Sequence, residues 1–176
     1  LPPGRHWEDR PGVVAGLDQL AGGSWFGFND YGVVAVVMNR VGTLGPVEGK
    51  RSRGELVLEA LDHAEASEAV GALVNLDPCA YRAFNLFVGD PVSALWLSHR
   101  GEETPIEVQD VPAGVHMLAA RDLDDIGLDR IRLNLPHFRA ANAPNPETGD
   151  WAEWQALLAN RAYPEPEGPL AAMNVD

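Results

Sequence analysis

Between Ser24 and Asn39 apolar residues gather on both sides of a polar cluster, SWFGF before Asn29-Asp30-Tyr31-Gly32 and VVAVVMN after it. β-Branched and aromatic runs flanking such a cluster predict a tight hairpin, with Gly32 free to take a positive φ. The second arm is apolar at nearly every position instead of alternating, which predicts an inner strand covered on both faces. GPVEGKR then breaks the run, and Leu56, Val57, Ala60, Leu61 and Ala64 return at three- and four-residue spacing. That stripe, preceded by the Ser52-x-x-Glu55 box in which each side chain can satisfy the other's backbone N–H, predicts a helix over 53–64 that packs on the sheet. A second helix is expected over 67–76, ended by Pro78.

FNLFVGD, ALWLSHR and PIEVQD are three further strand-like runs, separated by the turn signals Asp90-Pro91 and Arg100-Gly101-Glu102. They predict an antiparallel meander. GVHMLAA suggests another strand, and residues 128–138 suggest a helix as far as Pro136. Asp150 and Glu153 repeat the cap-and-return arrangement ahead of WAEWQALLANR, which predicts a last helix of about ten residues. The tail from Ala162 has no periodicity. Strands and helices in blocks, without strict βαβ alternation, indicate an α+β fold in one domain spanning 1–176.

Composition narrows the partners. Thirteen basic against twenty-six acidic residues give a formal charge of −13, which opposes the counterion release that drives proteins onto nucleic acid or anionic lipid. No apolar run is long enough to span a bilayer, and the opening LPPGRHWEDR lacks the basic-then-apolar order of a secretory signal. With Cys79 as the single cysteine, no internal disulfide forms, and the chain reads as a soluble cytoplasmic protein without membrane insertion.

The reactive residue types have plain explanations. Cys79 follows a proline, with no glycine-rich elbow or neighbouring histidine, and is expected to be a small packing residue. His6, His63, His99, His116 and His137 never fall at metal-pair spacing, so no metal is expected. Asp124-Asp125 and Glu102-Glu103 read as solvated turns. Gly22-Gly23 precedes a strand and signals close backbone approach. Asn39 and Asn85 stand out, as amides on otherwise apolar strands. Asn39 closes its strand, where it either bonds turn backbone or donates its N–H to a developing oxyanion. Asn85 poses the same choice between structure and function. Arg40, Arg51 and Arg53 either solvate their loop or hold an anionic group.

AGLDQLAGGSWFGFNDYGVVAVVMNR, followed by SRGELV and FNLFVGD, resembles the NRDE family, also called the transport and Golgi organization protein 2 family. The Gly-Gly-[Ser/Thr]-Trp block, the Asn39 strand, Ser-Arg-Gly-Glu and the Phe-Asn-Leu strand occur in that family's order. The resemblance implies a fold like that of N-terminal nucleophile hydrolases, a four-layer α/β/β/α sandwich of two stacked antiparallel sheets. It implies amide hydrolysis or acyl transfer by an N-terminal cysteine whose own amino group acts as base, with Asn39 as oxyanion donor. Asn85, Trp25, Arg40, Arg53 and His116 are then expected to bind the substrate. The family starts Met-Cys and soon carries Asn-Arg-Asp-Glu, it tends to have Leu-Ser-Asn where this chain has Leu118-Ala119-Ala120, and it continues beyond AAMNVD. The expectation is therefore a chain lacking both ends and inactive as it stands. The alternative implied by the family is a carrier of a haem-like, acyl or lipid ligand, in a pocket between the sheets closed by Trp25, Phe26 and Trp96. Haem is the one cofactor entertained, with His116 or His99 as its axial ligand.

Overall fold

The computed structural model describes residues 1–101 and 104–174. Glu102-Glu103 lie outside them. The chain divides into two compact units, Leu1–Pro112 and Ala113–Asp176.

The first unit is built on six antiparallel strands in simple sequential order: β1 Val13–Ala15, β2 Phe26–Asn29, β3 Val34–Asn39, β4 Phe84–Gly89, β5 Ala94–His99 and β6 Glu107–Asp110. Helices α1 Gly54–Leu61 and α2 Ala66–Leu73 pack on the sheet, α1 against β2, β3 and β4 and α2 against β4 and β5. The α+β class and the meander stand as the sequence predicts. The described residues contain this one sheet, and a second stacked sheet is not among them. Nor is any described helix long and apolar enough to cross a membrane.

The hairpin forms as expected. Phe26 pairs with Val36 and Phe28 with Val34, and Gly32 sits at φ 89°. Asn29 fixes the turn and more besides. Its Oδ1 accepts from the N–H groups of Tyr31 and Val33, both at 3.0 Å, while its Nδ2 donates to the carbonyls of Leu61 at 2.9 Å and His63 at 2.7 Å. The last carbonyls of a helix lack intrahelical partners, so this buried amide closes α1 at Leu61, and Ala64 is left exposed past its end.

The expected capping box does not form. Arg53, at the N-cap, has helical backbone angles, so Ser52 Oγ reaches the N–H of Gly54 instead, at 3.2 Å. Glu55 turns to Arg51 at 2.9 Å, an ion pair at i,i+4 spacing. For α2 the cap comes from afar: Asp90 accepts from the N–H of Ala66 at 2.8 Å and also from Ser93 and Val92, bonds that hold its carboxyl below the usual range. α2 itself ends before Pro78, which opens a 3-10 turn over Pro78–Ala80.

The strand enclosed on both faces is β4 rather than β3. In β3 Ala35 and Val37 are buried while Val34, Val36 and Met38 are only half-buried; in β4 every residue except Phe87 is buried. Both strands are inner strands of the sheet, but apolar composition alone does not rank their burial. The core lies on the helix face, where Ala35, Val37, Leu86, Val88 and Leu97 meet Leu56, Val57, Ala60, Leu61, Val70 and Leu73.

The second unit holds α3 Asp129–Ala140 and α4 Ala152–Leu158. α3 runs through Pro136 instead of stopping there. The ring removes one backbone bond, yet Ile131, Leu135 and Phe138 keep one buried face across it, and Phe138 meets Trp154 of α4 edge-on at 5.2 Å between centroids. α4 is seven residues long and starts after Trp151; Asp150 Oδ1 accepts from the N–H of Ala152 at 3.4 Å, while Glu153 accepts from Asn142 and does not return to the helix start. GVHMLAA is not a strand. It is held as a loop by Asp124, whose Oδ1 accepts from the N–H of Met117 at 2.8 Å and whose own N–H donates to the Met117 carbonyl at 2.9 Å.

Candidate functional site

A cleft of about 510 Å³ opens in the first unit, where the end of β3, the start of α1 and the loops around residues 18–25 and 43–53 come together. Its apolar walls include Trp25, Val37, Pro46 and Val47. The close approach that shapes this corner depends on Gly23, since a Cβ there would stand 2.5 Å from the carbonyl carbon of Gly54. Close approach is what the Gly22-Gly23 pair signalled. The expected pocket between two sheets is thus replaced by one on the helix side of a single sheet. Trp25 lines it, while the buried Trp96 and the half-exposed Phe26 do not.

Asn39 lies in the wall, on the same strand face as Ala35 and Val37. Among the described residues its side-chain amide has no hydrogen-bond partner. Asn85 has a different fate. It pairs in register with Met38 while Asn39 pairs with Phe84, so the two amides point to opposite faces of the sheet. Asn85 is fully buried, and its Oδ1 accepts from Arg40 Nη1 at 2.6 Å and from Trp96 Nε1 at 3.2 Å. Asn85 and Arg40 therefore satisfy each other behind the sheet and do not line the cleft.

The charges on the cleft wall run against those of the whole chain. Lys50, Arg51, Arg53 and Arg82 line it with Asp18 as the single carboxylate. Arg51 spends its charge on Glu55 and Glu59 and stacks over Tyr81, 5.1 Å from the ring centroid. Lys50 donates to the carbonyl of Cys79 at 2.7 Å. Arg53 Nη1 donates to Thr43 Oγ1 at 2.9 Å and to the Ala83 carbonyl at 3.0 Å. Burial first, and the neighbouring charge of Arg82 second, hold the Arg53 guanidinium below the ordinary arginine value. Arg82 and Lys50 carried no local signal in the sequence; Arg82 reaches the site only by bonding a loop some forty positions earlier in the chain, at Gly42, Leu44 and Gly45.

The remaining candidates lie elsewhere. Cys79 is exposed on the 3-10 turn, not packed, because Asp77 takes its N–H and the turn points its side chain outward. His116 belongs to the second unit, where its Nδ1 meets Asp124 Oδ2 at 2.7 Å. Asp124 also accepts from Arg139 at 2.8 Å and sits at φ 56°. Burial works against its charge, but the Met117 N–H, His116 and Arg139 outweigh burial and keep the carboxyl below its usual range. Asp124 is thus a structural hub and not the solvated turn expected of it, while Asp125 does cap a turn, accepting from the N–H of Gly127. His99 is fully buried, and neither ring nitrogen reaches good hydrogen-bond geometry, although the backbone at Tyr81 and Thr104 approaches the ring and partly offsets the effect of burial on its charge. Neither His99 nor His116 lines the cleft.

Comparison with curated proteins finds no match. The family model described as Transport and Golgi organisation 2 matches residues 3–161, a span that contains Asn39, Asn85 and every residue of the cleft. The chain belongs to the Transport and Golgi organisation 2 family.

Proposed function

We propose that the first unit binds a small amide or acyl ligand in the cleft, with Asn39 donating its N–H to the ligand's carbonyl oxygen. The observation that carries this reading is the Asn39 side chain, an amide fixed on a strand, set in the cleft wall and without a partner of its own. Asn39 is half-buried and lines the open cleft, and a carbonyl oxygen is the complement of an amide N–H. A cleft of about 510 Å³ falls within the size range of small-molecule sites, and its mixture of apolar wall with a few polar groups is typical of them. A donor so placed holds a ground-state carbonyl in a carrier. Where a nucleophile attacks that carbonyl, it stabilises the oxyanion of amide hydrolysis or acyl transfer. The carrier reading needs only the groups that line the cleft, and we adopt it.

The test is titration of the chain with decanamide, followed through Trp25 fluorescence, with Trp25→Phe as the control that removes the reporter. Saturable quenching is expected, weakened about fivefold in Asn39→Ala, the worth of about one neutral hydrogen bond. Absence of binding, or affinity unchanged by Asn39→Ala, refutes the proposal.

A further inference from the structure

We infer that Arg53 and Arg82 form an anion subsite in the same cleft, so that the ligand held there carries a carboxylate or phosphate head group in preference to a neutral one. The inference rests on the cleft being a ligand site and adds the chemical class of what occupies it.

Charge distribution is the first ground. In a chain with twice as many acids as bases, four of the thirteen basic residues line this one cleft, and among the described acidic residues Asp18 alone does. Asp18, that single acid, is already occupied within its own turn, accepting from the N–H groups of Leu20 at 2.9 Å and Ala21 at 3.3 Å.

The way the two guanidinium groups are held is the second ground. Each is clamped by neutral oxygen atoms and by no carboxylate among the described residues: Arg53 by Thr43 and Ala83, Arg82 by the carbonyls of Leu44 at 2.6 Å, Gly45 at 2.9 Å and Gly42 at 3.2 Å. Such bonds fix a side chain in place without neutralising its charge. A guanidinium has five N–H donors. In Arg53 both bonds leave from Nη1, so the edge formed by Nε and Nη2 keeps its donors; in Arg82 the Nε–H and one Nη2–H remain. That edge is the one that grips a carboxylate or phosphate with two parallel bonds.

Both guanidinium groups clamp the same short loop, Arg53 at Thr43 and Arg82 at Gly42, Leu44 and Gly45, and the charge of Arg82 acts on the partly buried Arg53, a repulsion that a bound anion relieves. Trp25, Val37 and Val47 supply the apolar wall for the rest of the molecule, and Asn39 remains available for a polar atom along it.

The experiment compares chain-matched ligands on the full chain: decanoate, decyl phosphate, decanamide and decylammonium, each titrated against Trp25 fluorescence. Decanoate or decyl phosphate is expected to bind at least about tenfold tighter than decanamide, as charge-assisted bonds exceed neutral ones, with decylammonium weakest. The tighter of the two anions names the head group. In Arg53→Gln/Arg82→Gln the anion preference should vanish while decanamide binding persists, which also shows that the variant folds. Decanamide binding as tightly as both anions overturns the inference and leaves the proposed function standing, as does an anion preference retained in the double variant. Failure of all four ligands to bind overturns both.

Discussion

Asn85→Ala tests whether this amide serves structure behind the sheet or contacts a ligand. The side chain is fully buried on β4, and its oxygen is the acceptor for Trp96 Nε1 and Arg40 Nη1. Truncation takes this acceptor from both donors. Trp96 is 3% exposed, so its indole N–H has no route to water, and an unsatisfied buried donor of this kind costs about 2 kcal/mol. Arg40 is half-buried and can turn its guanidinium to solvent, so its loss adds about 1 kcal/mol. The expected destabilisation is about 3 kcal/mol, before the small void is counted. Asn85→Asp keeps an oxygen at the same place and offers Arg40 a counter-charge, so it should cost clearly less than the alanine. Pairing Asn85→Ala with Trp96→Phe removes the stranded indole donor and should recover about 1 kcal/mol in a double-mutant cycle. The assay is equilibrium urea denaturation of the full chain followed by circular dichroism. An alanine variant within about 1 kcal/mol of the parent would lie below the cost of the indole alone and would refute the reasoning, as would an aspartate variant as unstable as the alanine. Because Asn39 faces the other side of the sheet, decanamide affinity in Asn85→Asp should equal that of the parent chain.

Two further outcomes follow from packing and titration. Gly23→Ala places a methyl group 2.5 Å from the Gly54 backbone, so strand and helix start must part; destabilisation of about 1–3 kcal/mol is expected by denaturation, together with weaker ligand binding in the cleft. Burial holds His99 below the ordinary histidine value, so the folded state binds its proton less readily than the unfolded chain does, and stability should be complete above about pH 6.5 and fall as the pH drops below it. The slope approaches at most about 1.4 kcal/mol per pH unit. Denaturation at pH 7.5 and pH 5.5 should show a loss at the lower pH that His99→Phe reduces; an unchanged pH response in the variant would assign the loss to other groups.

The sequence by itself settled the features that depend on neighbours along the chain. The hairpin at Asn29–Gly32, the three later strands, the apolar stripe of α1 and the close approach at Gly23 were legible because a two- or 3.6-residue period and turn chemistry act over a few residues. The family resemblance was legible in the same way, as short blocks in order. β1 went unseen because its Val13–Ala15 is too short to show a period.

What needed tertiary structure was every feature in which a side chain chooses between a near partner and a far one. Glu55 prefers Arg51 to its own helix start, Asn29 closes a helix more than thirty positions downstream, and Asp90 caps α2 from another turn. α3 passes Pro136 because packing on one face outweighs one missing bond. The two amides looked equivalent as letters on apolar strands, yet strand register sent Asn39 into the cleft and Asn85 behind the sheet. Arg82 joined Arg53 only through the loop they both clamp. Local propensity is written in adjacent residues, whereas the partner of a buried polar group is fixed by which elements the fold brings within about 3 Å of it.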